Sequence, residues 1–146
     1  VIADTLKSLQ VQGRFQKLST TPLVYTDVAH NRESARFLGK RLSSFKEQGF
    51  TIHAVVGMLA DKEHGDVIQA MRDVVDEWHV ATLDNPRGTQ AQQLASKLQE
   101  QVSVCATHDS VAEAISQVLP QLCEQNLLII FGSFYTVAEA ITFFDS

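Results

Sequence analysis

Short apolar runs alternate with amphipathic helical patterns from residue 23 to residue 144, and this alternation limits the fold more than any other feature of the chain. The apolar runs, which predict strands, are Leu23–Thr26, Thr51–Met58, Val80–Leu83, Val102–Cys105 and Leu127–Phe131. The helical patterns are Arg32–Gln48, Asp66–Trp78, Gln90–Gln99, Val111–Leu122 (where Pro120 favours an early end) and Thr136–Phe144. Strands that alternate with helices are typical of an α/β fold, so we expect a Rossmann-like, mostly parallel sheet with helices on both faces. Thr89-x-x-Gln92 and Ser110-x-x-Glu113 predict capping boxes.

Composition and charge argue against several classes of protein. The 146 residues are enough for one domain with its own core. A net charge of −5 and the lack of a basic run argue against a nucleic-acid surface. No apolar run reaches the roughly 18 residues of a membrane span, so we expect no membrane association and a cytoplasmic location. Cys105 and Cys123 match no zinc or redox spacing, which indicates two buried, reduced thiols.

The first part of the chain differs from the rest. Three apolar residues in VIADTLKSLQVQGRF keep helical spacing for barely two turns, which is typical of the tail of a helix that begins elsewhere. Gln10–Pro22 is polar and holds a glycine and a proline, as linkers do. We therefore assign residues 1–20 to the end of a preceding domain and an interdomain linker, and residues 21–146 to the domain that follows. The chain is expected to be a piece of a longer protein.

Polar residues cluster where the predicted strands end. The segments are Asp27–Asn31, Gly57–Lys62, Asp84–Gly88 and Gly132–Ser133. Ligands of parallel α/β sheets bind beyond the carboxyl ends of the strands, so these segments should converge on one rim. The chain has neither a phosphate loop nor the G-x-G-x-x-G fingerprint of dinucleotide binding. The residues by themselves therefore predict a ligand-binding α/β domain with an anion-friendly rim.

Asp27 and His30 are open to more than one interpretation. The Asp27 carboxylate suits two vicinal sugar hydroxyls as a double acceptor, but Asp27 and Asn31 are also fitting caps for the first helix. Asp27 and His30 have a sequence spacing found in metal ligands. No third ligand has a sequence spacing typical of a metal site, so no metal site is predicted. The remaining histidines show no mutual spacing and are interpreted as structural or exposed: His53, His64, His79 and His108.

Several motifs, in order along essentially all 146 residues, resemble one family of ligases. DVAHNRES resembles the D-x-A-H-N-P motif that opens the C-terminal domain of the Mur ligase superfamily, and GMLADKE resembles a G-M-L-x-D-K-D stretch of its folate branch. Pro-Arg-Gly at 86–88, HDSVAEAI and LLIIFGSFYTVAEAI are similar to that branch too, and QGRFQKL resembles its P-G-R-F-Q linker. The chain thus resembles the C-terminal domain of folylpolyglutamate synthases of the bifunctional dihydrofolate synthase type. Arg32 and Gln12 replace two family prolines, which affects preorganisation rather than chemistry.

This resemblance implies an ATP-dependent acid–amino acid ligase. Such an enzyme adds L-glutamate to dihydropteroate, to folate polyglutamates or to both: ATP phosphorylates the acceptor carboxylate, and the amine of glutamate attacks the acyl phosphate. The cofactors implied are ATP and Mg²⁺, with the phosphate loop and the metal ligands in an N-terminal ATPase domain outside this chain. We therefore expect the chain to be inactive alone, and its expected partners are the small-molecule substrates and that N-terminal domain.

The resemblance also assigns roles to individual residues. Asp27 would hold the ribose hydroxyls of ATP, and Arg14 on the linker would reach the phosphates when the domains close. His30 and Ser133 would help to place the incoming glutamate, although His30 is also suited to satisfying a local backbone carbonyl. Further site residues implied are Asn31, Asp61, Lys62 and Arg87.

Two alternatives remain open at the level of sequence. Residues 84–87, DNPR, resemble a motif by which a muropeptide ligase grips diaminopimelate, although GMLADKE and GSFYTVAEA fit the folate branch better. The amino acid that is consumed separates these two branches. The other alternative is a nucleotide-binding module without catalysis, which a coding frame that begins at Val1 would favour.

Overall fold

The computed structural model describes residues 15–60 and 64–145, and these build a six-stranded sheet. The strands are β1 (Gln16–Ser19), β2 (Leu23–Asp27), β3 (Thr51–Val56), β4 (Glu77–Ala81), β5 (Val104–His108) and β6 (Asn126–Phe131). Their order across the sheet is β1-β2-β6-β3-β4-β5. Neighbouring strands are parallel except for β1 with β2, which are antiparallel. The predicted α/β fold with a mostly parallel sheet is confirmed.

Helices cover both faces of the sheet. They are α1 (Arg32–Glu47), α2 (His64–Met71), α3 (Ala91–Leu98), α4 (Val111–Val118) and α5 (Phe134–Asp145), with a 3₁₀ turn at Leu119–Gln121. Side chains alternate between the faces of a strand, so Ile129 and Phe131 pack under α1, α2 and α3, whereas Leu128 and Ile130 pack under α4 and α5. In the two described ranges, no helix is both long enough and apolar enough to cross a membrane.

Two segments take a different structure from the one that their sequence predicted. Gln16–Ser19, which we assigned to the linker, forms edge strand β1; its four residues are mostly half-buried and show no apolar run. The helix predicted to reach Trp78 ends at Met71, so that prediction was wrong for its last two turns. The cause is tertiary: the backbone N–H of Asp76 donates to the Ile52 carbonyl at 2.8 Å, and the Asp76 carboxylate accepts the Ile52 N–H at 2.7 Å. The domain boundary at residue 20 stays a prediction.

Two strand boundaries and both cysteines also differ from their predictions. β4 begins at Glu77 rather than at Val80, and β5 runs to His108 instead of ending at Cys105. These strands contain histidine and glutamate, which an apolar-run criterion leaves out. Cys105 and Cys123 are exposed free thiols, so the prediction that they are buried was wrong.

The helix starts at Asn31 and Ser110 follow from local sequence. The Asn31 Oδ1 accepts the Ser34 N–H at 2.9 Å, and the Ser34 Oγ accepts the Asn31 N–H at 3.2 Å, which makes a reciprocal cap of α1. The Ser110 Oγ accepts the Glu113 N–H at 3.0 Å, so half of the capping box predicted for α4 is present; the Glu113 carboxylate accepts the Asp109 N–H at 3.2 Å rather than that of Ser110. Asn31 thus has a structural role at the start of α1.

The start of α3 is capped from a distant residue. Its N-cap is Gln90, which makes no side-chain cap bond, and the predicted capping box at Thr89 was therefore wrong. The Ala91 N–H instead donates to the Thr82 Oγ1 at 2.8 Å. Thr82 directly follows β4, so strand and helix are tied together by a contact that local spacing does not reveal.

Two neighbouring histidines on β4 and β5 are buried. The Nδ1 of His79 lies 3.3 Å from the Nε2 of His108, and both residues are less than one tenth exposed. Burial is the main cause that lowers the pKa of His79; His108 and His53 lower it further, and Glu77 opposes them. Burial also lowers the pKa of His108, against the opposing effect of two nearby carboxylates. The folded chain therefore favours neutral rings at both positions.

We expect the free energy of unfolding to fall as the pH drops below 6.5, the ordinary histidine pKa. Below this pH the two histidines bind protons more readily in the unfolded chain than in the folded chain, and this stabilises the unfolded state. Above this pH both rings are neutral in both states, so the effect vanishes. Urea unfolding of the wild type and of His79→Gln between about pH 5 and 8 measures it. The variant should show a flatter dependence on pH, and equal slopes would contradict the prediction.

Candidate functional site

The carboxyl ends of three adjacent strands form a rim in the middle of the sheet. β6 lies between β2 and β3, with Asp27 opposite Phe131 and Val56 also opposite Phe131. The chain leaves β2 and β3 toward helices on one face, but it leaves β6 toward α5 on the other face. Such a reversal opens a crevice at the strand ends, where ligands of parallel sheets bind. The segments that follow β2, β3 and β6 therefore lie side by side.

Asp27 ends β2 and is 5% exposed. Its Oδ1 accepts the Ala29 N–H at 2.8 Å, and its Oδ2 accepts the Phe15 N–H at 3.0 Å. Phe15 has a φ of 46°, a left-handed backbone that is uncommon outside glycine, and its ring stacks on Tyr25 with centroids 4.1 Å apart. Asp27 thus joins the end of β2 to the residue before β1. A carboxylate offers about four acceptor positions, so these two amides are compatible with a further role toward ligand hydroxyls.

His30 lies in the turn between β2 and α1 and is half-buried. Its Nδ1 is 2.8 Å from the Val28 carbonyl oxygen, and its backbone N–H donates to the Ser34 Oγ at 3.2 Å. A carbonyl only accepts, so the proton of the neutral ring is on Nδ1 and the Nε2 is an acceptor. The local carbonyl contact anticipated for His30 is present, and it orients the ring in the turn.

Ser133 precedes α5 and is buried. Its Oγ accepts the Thr136 N–H at 3.1 Å and lies 2.9 Å from the Thr136 Oγ1, which itself donates to the Gly57 carbonyl at 2.7 Å. The single hydroxyl proton of Thr136 goes to Gly57, so the Ser133 hydroxyl must donate to Thr136. Ser133 therefore caps α5 and, through Thr136, ties the end of β6 to the end of β3.

Gly132 makes the close approach at this point possible. Its φ is +128°, a conformation that side chains with a Cβ rarely adopt, and a Cβ there would overlap the Gly57 carbonyl. The backbone of β6 and that of β3 consequently touch directly at the rim. Sequence reasoning placed Gly132 and Ser133 on the rim but missed Thr136, because a threonine inside a helix gives no distinguishing signal.

The segments after β3 and β4 are hydrogen-bonded to each other. The Ala60 N–H donates to the Arg87 carbonyl at 2.7 Å, the Thr89 N–H donates to the Met58 carbonyl at 2.9 Å, and Leu59 pairs with Gly88 in an isolated bridge. This arrangement brings Arg87, which is exposed, to the same rim. Arg14, Asp61 and Lys62, which the sequence also assigned to the site, lie outside the described residues.

Among the described residues, the cavity next to Asp27 is small. Asp27, Ser34, Phe37, Leu38 and Arg41 line a cavity of about 40 Å³, little more than the roughly 30 Å³ that one water occupies in the liquid. An open hollow of about 910 Å³ follows the outer surface of α1 and is lined by Arg32, Glu33, Arg36, Phe37 and Lys40. A third cavity, about 570 Å³, lies at the opposite ends of the strands.

Comparison with known proteins relates this rim to one family. The family model described as Mur ligase, glutamate ligase domain matches residues 13–134. The dihydrofolate synthase/folylpolyglutamate synthase of Escherichia coli is 36% identical over 145 residues, which are 99% of this chain and 33% of that protein. The chain thus spans about a third of the length of the curated relatives it matches.

Two solved structures show the same arrangement of strands and helices. One is the bifunctional folylpolyglutamate synthase/dihydrofolate synthase of Yersinia pestis complexed with AMPPNP and Mn ion: 39% identity, a TM-score of 0.81, and coverage of 89% of this chain and 30% of that one. The other is a structure of such a bifunctional enzyme with Mn, AMPPNP and L-glutamate bound: 39% identity, a TM-score of 0.79, and coverage of 90% of this chain and 31% of that one.

The fold and the family match together define an α/β domain of the ligase class. The chain belongs to the Mur ligase family, and it corresponds to the glutamate ligase domain of that family. The resemblance to the folate branch is confirmed by the relatives, which are dihydrofolate synthases/folylpolyglutamate synthases.

Proposed function

We propose that this chain is the glutamate-handling domain of an ATP-dependent ligase that extends dihydropteroate, folate polyglutamates or both with L-glutamate. The observation that carries the proposal is the family match over residues 13–134 together with identity to the bifunctional folate enzymes along 99% of the chain. In the reaction, the γ-phosphoryl group of ATP moves to the acceptor carboxylate and leaves ADP. The glutamate amine then attacks the acyl phosphate, so that an amide forms and phosphate leaves.

Asp27 is proposed to hold the ribose hydroxyls of ATP. It stands at the end of β2 next to the crevice, and both of its oxygens already accept backbone N–H groups, which fixes the orientation of the carboxylate. Arg14 is proposed to reach the phosphates, because a guanidinium suits phosphate oxygens and the chain places it directly before Phe15. ATP would supply the phosphoryl group, and Mg²⁺ would neutralise the charge of the phosphates. The residues that bind Mg²⁺ would lie in the remainder of the enzyme.

The incoming glutamate is proposed to lie between the turn after β2 and the start of α5. With its Nδ1 directed at the Val28 carbonyl, His30 turns its Nε2 toward the ligand side, where an acceptor would suit the amine of glutamate. The Ser133 hydroxyl is already used within the protein, so a carboxylate is better met by the backbone N–H groups at the start of the twelve-residue helix α5. Ser133 would then act by holding that helix start in place.

The proposal also explains why the cavity next to Asp27 is small. The cavity at Asp27 is close to the size of one water molecule, whereas phosphoryl transfer needs a site from which water is excluded. A second domain that closes over α1 and the strand ends would exclude water from the site. It would also cover the basic hollow along α1.

The test is glutamate ligation by the full-length protein that carries this chain, compared with the 146 residues alone. With ATP, Mg²⁺ and labelled L-glutamate, the full-length protein should extend dihydropteroate or tetrahydrofolate, whereas the chain alone should neither ligate nor hydrolyse ATP. The cell-wall alternative predicts use of diaminopimelate with a muropeptide acceptor instead. Ligation by the chain alone, or preference for diaminopimelate, would contradict the proposal, and nucleotide binding without any turnover by the full-length protein would favour the non-catalytic module.

A further inference from the structure

Three side chains of the type that bind metals meet on the sheet face beneath α4, away from the rim. His53 on β3 stands opposite Glu77 on β4, and His79 follows on the same face of β4. One ligand atom from each of the three lies within 4.8 Å of the other two. His53 and His79 are 4% and 5% exposed, whereas the Glu77 side chain is 41% exposed. The cluster is therefore buried on the histidine side and open to solvent at the carboxylate.

Two nitrogens in this cluster are buried without a hydrogen-bond partner. They are the Nδ1 of His53 and the Nε2 of His79. Buried polar atoms are nearly always paired, so each such atom calls for an explanation. A proton on the Nδ1 of His53 would point at the Glu77 carboxylate, 3.4 Å away, but this leaves the His79 Nε2 unexplained.

His79 is already arranged as metal-binding histidines are. Its Nδ1 faces the Nε2 of His108 at 3.3 Å, which leaves the Nε2 for a ligand and orients the ring through a second contact.

We propose that His53, Glu77 and His79 bind one divalent transition-metal ion of the zinc class. Two imidazoles and a carboxylate are a donor set of Zn²⁺, whereas Mg²⁺ prefers oxygen ligands. Ligand atoms about 2.1 Å from a tetrahedral ion lie roughly 3.4 Å apart, the separation already found between the His53 Nδ1 and the Glu77 Oε2. The other separations, all within 4.8 Å, must adjust by about an ångström at most to reach this value. Water fills the fourth position, on the solvent side.

An ion at this position would join β3 to β4 beneath α4. Both strands run from this cluster toward the rim, so the ion would stabilise the sheet that carries the site without contacting substrate. The proposal does not depend on the ligase function, and Mg²⁺ supplied for ATP should not compete for the site.

Cobalt and zinc titrations of the tag-free, chelator-treated chain test the proposal. The background is Cys105→Ser/Cys123→Ser, so that the two exposed thiols cannot bind the ion. We expect one Co²⁺ per chain with the visible absorption of a four-coordinate site, displacement by Zn²⁺ but not by Mg²⁺, and a rise in Tm with Zn²⁺.

Single replacements locate the ligands. His53→Gln, Glu77→Gln and His79→Gln should each weaken Zn²⁺ binding by at least about tenfold, the lower end for groups that support a metal. His30→Gln removes a histidine from the rim and is the matched control, which should bind Zn²⁺ as the parent does. Circular dichroism checks folding, and Glu77→Gln is the informative variant if a histidine replacement unfolds the chain, because Glu77 is part-exposed. No saturable binding by the parent, or equal binding by the parent and folded Glu77→Gln, would overturn the proposal.

Discussion

Gly132→Ala is expected to lower the free energy of unfolding by about 3 kcal/mol or more. Two effects add at this position. The φ of +128° lies outside the regions that residues with a Cβ adopt readily, and the new methyl group would overlap the backbone carbonyl of Gly57. A backbone neighbour cannot swing aside as a side chain does, so the ends of β6 and β3 must separate. Separation would also break the contact from the Thr136 Oγ1 to Gly57 that helps to fix the start of α5.

Gly49→Ala is the matched control, because Gly49 also has a positive φ, of +93°, but a Cβ there would meet only the end of the Gln125 side chain at 3.7 Å. It should show the backbone strain without the overlap, about 1–2 kcal/mol. Urea unfolding of both variants gives the comparison, and ligation by the full-length Gly132→Ala enzyme should fall with the loss of rim geometry. Equal losses of stability in the two variants would show that overlap with the Gly57 carbonyl adds nothing to the backbone strain.

Sequence patterns predicted an element correctly where its apolar residues fit only one spacing, that of a strand or that of a helix. The runs at β2, β3 and β6 are apolar because these strands lie in the middle of the sheet, and a central strand must be apolar on both faces. β4, which lies inside the sheet between β3 and β5, and the edge strand β5 carry histidines and Glu77, so their limits could not be read from hydrophobicity. Trp78 fitted a helical spacing equally well, and only the contacts of Asp76 with Ile52 decide that it belongs to β4.

The site was predictable in position but not in its contacts. Asp27, His30 and Ser133 were placed on the rim by the rule that parallel strands end at a common edge. The Ser133 hydroxyl bonds to Thr136, and Asp27 accepts the Phe15 N–H. Local sequence patterns do not predict either contact. The same limit applies to His53 and Glu77, which become neighbours only through the register of β3 on β4.

Asp27→Ala in the full-length enzyme is expected both to raise the KM for ATP by about tenfold or more and to lower stability by roughly 2–4 kcal/mol. The loss of stability follows because the N–H groups of Phe15 and Ala29 lose their acceptor in a buried place. The loss of ATP affinity follows if the carboxylate also accepts the ribose hydroxyls, since hydrogen bonds to a charged group contribute about 1.5–3 kcal/mol each. The KM for glutamate should change far less.

Asp27→Asn separates these two roles, because asparagine keeps one carbonyl oxygen for a backbone N–H but presents an amide donor where the second acceptor stood. It should lose less stability than Asp27→Ala, yet it should still raise the KM for ATP, because two vicinal hydroxyls need two acceptor oxygens. Ser110→Ala is the control for stability loss alone: it removes the cap of α4 next to the end of edge strand β5, at a cost of about 1 kcal/mol, and should leave the KM for ATP unchanged. Initial rates are measured with ATP varied at saturating glutamate and pterin substrate, well below the Tm of each variant. If both Asp27 variants keep the wild-type KM for ATP while unfolding more easily, then Asp27 only joins β2 to Phe15, and the ribose must be held by other groups on the rim.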